Sequence, residues 1–391
     1  MYPQLYHFFY DQFGWDLPFM RAINSFGFFV AIAFIAAAYV FSRELKRKYS
    51  QGFIPAIKKN TWVGKPASVT ELAINALIGI LIGYKLSYAI FNNDVFQDFP
   101  TFLLSSKGNW IGALVLGAFL AGWKYYEANK TKLVTPVLKE VDFLPQQHTG
   151  PLLTIAAVFG IIGAKLFAYL EDPGDFIKFI YDPFSGLTMY GGLICALLAG
   201  YVYMRKFNLP PMQFMDAVAP AVMLAYGIGR IGCHVSGDGD WGIANLNPNP
   251  GWLPDWLWAY DYPNNVNNED TPLGECYYGD KYCSHLAVPV YPTALYEALM
   301  CSFLFGVMWL VRKRYIIAGL MFSTYLMLNG VERFLIEKIR VNKTYVIFGN
   351  EITQAEIISF SFILVGLVGI IYLLRRHKKG IKNTAPPTAE T

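Results

Sequence analysis

Apolar residues arrive along this chain in long unbroken runs separated by short polar stretches. Nine runs stand out: 23–42, 71–91, 108–126, 151–171, 186–204, 212–233, 293–311, 315–336 and 356–374. A helix needs about 20 residues to cross the ~30 Å hydrocarbon layer of a bilayer. The runs are continuous instead of alternating at period two, so helices are expected and a barrel is not. Ile23–Ser42 and Pro183–Met204 carry no charge at all, whereas the third run is short and the sixth holds Asp216 and Arg230. The predicted fold is all-α: a polytopic transmembrane helical protein of about nine spans.

The polar stretches alternate in sign. Arg43, Lys46, Arg47, Lys48, Lys58, Lys59 and Lys65 follow the first run against Glu44 alone. Lys124, Lys130, Lys132 and Lys139 occupy 124–150, and Arg205–Lys206, Arg312–Lys313–Arg314 and Arg375–Lys382 complete the basic set. Acidic stretches lie between them: Asp94 and Asp98, then Asp172 and Asp175, then 236–292. With nine spans every basic loop falls on one side, so the positive-inside rule places the N-terminus outside and the C-terminus in the cytoplasm.

Composition agrees. Of 391 residues, 54% are apolar and 15% charged, against about 25% charged in soluble domains, and the mean hydropathy is +0.33. One soluble core, disorder and a disulfide scaffold are excluded. A net charge of +4 is too small to imply nucleic acid. Met1–Met20 has no basic start or small-residue cleavage site, so no cleaved signal peptide is expected. The tail 378–391 reads as a disordered cytoplasmic end.

A shift of 80 residues lays Ile82-Gly83-Tyr84-Lys85-Leu86 on Ile162-Gly163-Ala164-Lys165-Leu166, and Trp110-Ile111-Gly112 on Tyr190-Gly191-Gly192. A two-helix unit at 70–149 therefore reads as repeated at 150–204. Lys85 and Lys165 are costly in lipid and should face protein, water or headgroups.

Polar groups at membrane depth concentrate in three segments: Gly227–Gly242, Glu332–Arg340 and Thr188–Gly192. Arginine is always charged, and its planar fork suits phosphate, so Arg230 and Arg333 near one bilayer face suggest a phospholipid headgroup. Arg333, Glu337 and Arg340 share a helix face at i, i+4 and i+7, where Glu337 could hold both guanidiniums. The competing reading of that face is an ion-pair ladder at a helix end. His234, four residues after Arg230, has the side chain of a base near neutral pH, although an isolated histidine at a membrane boundary is more often a hydrogen-bonded interface residue.

These segments resemble the prolipoprotein diacylglyceryl transferases of bacteria. Gly229-Arg230-Ile231-Gly232 through Gly237-Asp238 and Trp241-Gly242 is similar to that family's Gly-Arg-x-Gly-Asn-Phe-x-Asn-Gly-Glu-x-x-Gly. Gly186–Leu193 is similar to its Gly-Met-Ser-x-His-Gly-Gly-Leu. Tyr291-Pro292-Thr293-Ala294-Leu295-Tyr296-Glu297 is similar to its His-Pro-[Ser/Thr]-Gln-Leu-Tyr-Glu, and Arg333–Arg340 to its Arg-x-x-x-Glu-x-x-Arg. The resemblance covers about 150–391 and the first span, leaving 70–149 as an insertion.

It implies an inner-membrane enzyme that moves diacylglycerol from phosphatidylglycerol to the lipobox cysteine in preprolipoprotein signal peptides, without metal or other cofactor. Arg230, Arg333, Tyr190, His234 and Glu337 become the catalytic candidates. Arg230, Arg340, Asp238, Tyr291, Tyr296 and Glu297 become the substrate-binding ones, in contact with membrane lipids. Both family histidines are tyrosines here, Tyr190 and Tyr291, and tyrosine is a poor base at neutral pH. Three routes for the thiol proton stay open: Tyr190 activated by arginines, His234, or solvent. An inactive lipid-binding homologue and a lipid transporter are the rival readings, although the repeat lacks the paired broken helices of transporters.

The stretch 236–292 is too long and aromatic for a plain connector and is expected to form a small extracytoplasmic head. Cys276 and Cys283 within it read as a disulfide in an oxidising compartment. Cys195 and Cys301 read as buried small hydrophobes.

Overall fold

The computed structural model describes residues 1–171, 188–274, 276, 281–342, 344–347 and 350–384. Asp172, Asp175, Glu275, Asp280 and the tail beyond 384 lie outside the described residues. Twelve α-helices are described: α1 Leu5–Phe13, α2 Ser25–Ser50, α3 Val69–Phe91, α4 Phe99–Leu104, α5 Trp110–Lys130, α6 Thr149–Glu171, α7 Met189–Lys206, α8 Pro211–Ser236, α9 Asp255–Trp258, α10 Thr293–Val311, α11 Leu320–Glu337 and α12 Gln354–Thr384. Local chemistry sets several ends. Ser68 and Glu71 form a capping box that starts α3, Asn109 accepts from the amides of Ile111 and Gly112 to start α5, and Gly237 closes α8 at φ 65°, where a side chain would be strained.

Six helical stretches are long and apolar enough to cross a membrane: Ser25–Ser50, Val69–Phe91, Pro145–Leu170, Pro211–Ser236, Thr293–Arg314 and Gln354–Lys379. They coincide with six of the nine predicted runs. The other three runs are helical too, as α5, α7 and α11, but polar residues dilute them: Lys124, Glu127 and Lys130 in α5, Arg205–Lys206 in α7, and Asn329, Glu332, Arg333 and Glu337 in α11.

Each of those three lies antiparallel to an apolar neighbour at glycine contacts. A Cβ on Gly83 would come 2.4 Å from the Gly112 carbonyl, joining α3 to α5, and one on Gly163 would come 2.4 Å from the Gly191 carbonyl, joining α6 to α7. The helix starts match as well, since the amide of Asn109 donates to Tyr84 and that of Thr188 to Ala164. The first helices correspond at a shift of 80 residues and the second at 79, one fewer than the sequence alignment placed there. Gly330 on α11 meets the Ser359 carbonyl of α12, and Gly366 meets that of Ser323.

Helices α2, α8, α10 and α11 form the core. Val40, Phe41, Leu45, Phe214, Ala217 and Ala221 are buried between α2 and α8, and Met223, Cys301, Met308 and Met321 join α8, α10 and α11. One end of this bundle is closed by ion pairs. Lys48 lies 3.6 Å from Asp216, Asp216 accepts from the amides of Gly319 and Phe322 at the start of α11, and Arg312 lies 3.3 Å from Glu44. The acid that weakens the sixth run is therefore a helix cap with a buried partner.

Strands β1 Ile57–Val63 and β2 Val137–Phe143 pair antiparallel, Ile57 opposite Phe143 and Val63 opposite Val137. The all-α expectation missed this ribbon, because each strand sits in a polar loop and they pair across 80 residues. Two shorter ladders join β3 Thr271–Pro272 to β4 Ser284–His285 and β5 Thr344–Ile347 to β6 Asn350–Thr353. The segment 237–292 packs around Trp241, Tyr262, Leu286 and Val290 and carries the Cys276–Cys283 disulfide.

Candidate active site: three arginines on one glutamate

The end of the bundle opposite Lys48 and Asp216 gathers the C-terminal turns of α8 and α11 with the first turn of α10. Glu297, fully buried on α10, is its centre. One carboxylate oxygen of Glu297 lies 2.5 Å from Arg230 Nε and accepts from the Tyr226 hydroxyl at 2.5 Å. The other accepts from Arg333 Nη1 and Arg340 Nη1, each at 3.3 Å. The carboxylate of Asp240 joins Arg230 through one oxygen and Arg340 through the other. Arg333 also pairs with Glu337 at 3.0 Å, and Asn342 donates to Glu337 at 2.7 Å.

Arg230, Arg333 and Arg340 thus face Asp240, Glu297 and Glu337, three charges of each sign. Buried guanidiniums need such partners. Arg333 keeps 19% of its side chain exposed and Asp240 30%, against 0% for Glu297, so the cluster opens to solvent on the Arg333 and Asp240 side. The loop after α8 is held in place by its neighbours: the Gly242 amide donates to Tyr291, that of Ile243 to Ile339, and the Thr293 hydroxyl to the Asp240 carbonyl.

Two acids in this loop titrate in opposite directions. Burial, and then the adjacent Asp240 carboxylate, push Asp238 above the ordinary range. Burial alone would push Asp240 the same way, but Arg230 and Arg340 override it and hold Asp240 below its ordinary value. Cys233, Asp238 and Asp240 place ligand atoms within 4.8 Å of one another. A cation there would compete with the two guanidiniums already on Asp240, so the donor set fits arginine better than metal.

Half of the ten candidate residues converge here, with corrections. Arg230, Arg333, Arg340, Glu297 and Glu337 lie in the cluster, but Glu337 holds only Arg333, and Arg340 turns to Glu297 and Asp240. Asp238 makes no ion pair with Arg230. Asp240 does. His234 does not reach the cluster: its Nδ1 lies 3.2 Å from the Tyr262 hydroxyl. It lines a cavity of about 470 Å³ with Tyr2, Val235 and Tyr260, away from the arginines. The backbone of Tyr190 lies in the first turn of α7, and its side chain lies outside the described residues. Tyr291 takes a hydrogen bond from Asn247 at 3.3 Å, and Tyr296 donates to the Leu257 carbonyl at 2.6 Å, so both tie segment 245–258 to the start of α10.

Sequence reasoning missed Asp240, Tyr226 and Glu332. Tyr226, one turn before Arg230, carries a signal in its spacing. Glu332, which opens the flagged segment Glu332–Arg340, is 1% exposed, and neither carboxylate oxygen has a hydrogen-bond partner among the described residues. Lys85, flagged for its depth, donates to the carbonyls of Phe102, Ser105 and Lys107.

The fold and this cluster define a polytopic membrane protein with a buried arginine–carboxylate site at one end of its helical bundle. Residues 103–372 match the family model for prolipoprotein diacylglyceryl transferase. The chain belongs to that family. It is similar to a phosphatidylglycerol–prolipoprotein diacylglyceryl transferase of Leptospira interrogans, 29% identical over 227 residues, 51% of this chain and 64% of the relative. Relatives of the same name from Lysinibacillus sphaericus and Clostridium novyi are 27% and 26% identical, covering 70% of this chain each and 90% and 92% of their own lengths. The chain thus spans just under two thirds of the Leptospira protein and nearly all of the other two.

Proposed function

We propose that this protein transfers a diacylglyceryl group from phosphatidylglycerol to the lipobox cysteine of prolipoproteins. The observation that carries the reading is the convergence of Arg230, Arg333 and Arg340 on Glu297 at a partly open site, in a chain of this family. In the reaction the substrate thiolate forms a bond to the terminal glyceryl carbon. The bond from that carbon to the phosphate oxygen breaks, and glycerol phosphate leaves with the electron pair. Charge grows on the departing phosphate, and prepositioned guanidiniums favour that change over the ground state.

Arg333 is the guanidinium most open to a headgroup. Arg230 and Arg340 share Asp240, which holds them in register. Glu297 and Glu337 position the three arginines without touching the reacting atoms. The hydrogen bond of His234 to Tyr262 argues against it as the base, so Tyr190 and solvent are the routes kept for the thiol proton. Tyr291 and Tyr296 line the entrance beside segment 245–258.

The proposed topology has nine crossings in a bacterial inner membrane, with the N-terminus outside, segment 236–292 as an extracytoplasmic head and the C-terminus inside. It is supported by the antiparallel pairing of α5, α7 and α11 with apolar partners and by the loop charges. At 1.5 Å per residue the 18-residue helices α7 and α11 reach ~27 Å, close to the hydrocarbon thickness. The unit 70–149 is proposed as an insertion built like 150–204, into which the family match reaches back as far as residue 103. The deciding experiment gives purified protein phosphatidylglycerol and a lipobox peptide and reads the peptide mass. A gain of one diacylglyceryl group is expected, and an unmodified peptide with a folded enzyme refutes the reading.

A further inference from the structure

Among the described residues, the β1–β2 ribbon has no protein partner along most of its length. From Lys58 to Val63 and from Val137 to Asp142 every residue is exposed, on both faces. Val137 is 53% exposed, Val141 43% and Val63 40%, although a two-stranded ribbon left alone in water is marginal.

Its two faces differ. The register puts Lys59, Thr61 and Val63 on one side with Val137, Lys139 and Val141, apolar and basic without an acid. The opposite side carries Asn60, Trp62, Leu138, Glu140 and Asp142 with Lys58, which is already 3.2 Å from Glu140, so the acids lie on that side alone. The Lys59 face is also the one that begins on the protein. Ile57 packs on the α2–α8 core, the Phe143 ring meets His148 at 4.6 Å, and Lys59 lies over Phe143.

Both ends of the ribbon are tied to helices of membrane character. Ile57 and Phe143 join α2 and the Pro145–Leu170 helix, and Val63 joins α3, all three long and apolar enough to cross a membrane, while Val137 follows α5, the glycine-packed partner of α3. Seven residue pairs at about 3.4 Å per residue bridge ~20 Å between them. A strap held at both ends by such helices is positioned to run along a bilayer surface, with the face continuous with the Ile57 and Phe143 packing as the one nearest to it. We propose that the ribbon lies on anionic phospholipid headgroups, with Lys59 and Lys139 against the phosphates and Val63, Val137 and Val141 at the acyl boundary. The inference rests on the membrane assignment of these helices and on the lysines, and it stands apart from the transferase reading.

The test uses the full chain in nanodiscs of phosphatidylcholine with or without phosphatidylserine, which keeps it clear of the proposed donor lipid. A nitroxide is placed on Thr61→Cys or Asn60→Cys, with the labelled wild type as the blank for native thiols. Collisions with lipid-dissolved oxygen and with an aqueous nickel chelate are then compared. At position 61 oxygen should dominate, at position 60 the chelate. Removing phosphatidylserine, or substituting Lys59→Gln with Lys139→Gln, should shift position 61 toward water, by roughly fivefold per lysine. Equal aqueous exposure of both positions in anionic discs overturns the proposal. So does shielding at 61 that ignores lipid charge and vanishes at one chain per disc, which would mean a second copy covers the ribbon.

Discussion

Replacing Glu297 removes the one carboxylate that all three arginines share. In Glu297→Gln the cluster passes from three charges of each sign to three positive against two negative. Each guanidinium keeps one partner: Arg230 and Arg340 keep Asp240, and Arg333 keeps Glu337. Stripping one member from a buried ion pair costs about 3–5 kcal/mol when the other is left bare. The retained partners place the glutamine variant near the lower bound, about 3 kcal/mol. Glu297→Ala also empties a fully buried side-chain volume and should cost more. The assay is thermal unfolding in one detergent, followed by intrinsic fluorescence, beside lipid transfer at a temperature where each variant stays folded. A cycle of Glu297→Gln and Arg333→Gln separates the shared term, since residues in one network couple by about 0.5–3 kcal/mol. Unfolding of Glu297→Ala coincident with wild type, or strict additivity in the cycle, would show that the arginines do not depend on Glu297.

Arg230→Ala and Arg333→Ala should each lower transfer by roughly 30-fold to several thousandfold. The lysine variants should recover little of it, because the bidentate fork is lost; near wild-type rates in folded alanine variants would exclude a phosphate clamp. Tyr291→Phe should keep most activity, since its hydroxyl meets only Asn247 among the described partners, and a several-hundredfold loss would assign it proton transfer. Cysteines introduced at Gln51 and Trp252, both exposed, should label from the cytoplasm and from outside respectively. Labelling from one side would break the nine-span topology. Burial, with Arg21 next, lowers His7 to about 4, while the unfolded histidine titrates near 6.5. The unfolded state therefore binds more protons between those values, and stability should fall by up to ~1.4 kcal/mol per pH unit as the pH drops through that window. His7→Gln should flatten the slope, and an unchanged slope would assign it elsewhere.

Hydropathy and loop charge alone determined that this is a helical membrane protein, because the cost of exposing backbone polar groups to lipid leaves long apolar helices or closed barrels as solutions. Arg230, Arg333, Glu337 and Arg340 were legible as candidates, because charge at membrane depth is rare without a partner or a task, whereas Glu297 was legible only through the resemblance of Tyr291–Glu297 to the family motif. Only the tertiary structure decided how they pair. The 3.6-residue helical period pointed to Glu337 between Arg333 and Arg340, but the approach of α10 brings Glu297 to that place and turns Arg340 toward Asp240. The same spacing put His234 beside Arg230, until packing against Tyr262 turned it away. The β1–β2 ribbon was invisible for a related reason: its strands lie 80 residues apart in polar loops, and their pairing becomes possible once α3 and α5 fold back on each other and bring the two loops to the same end.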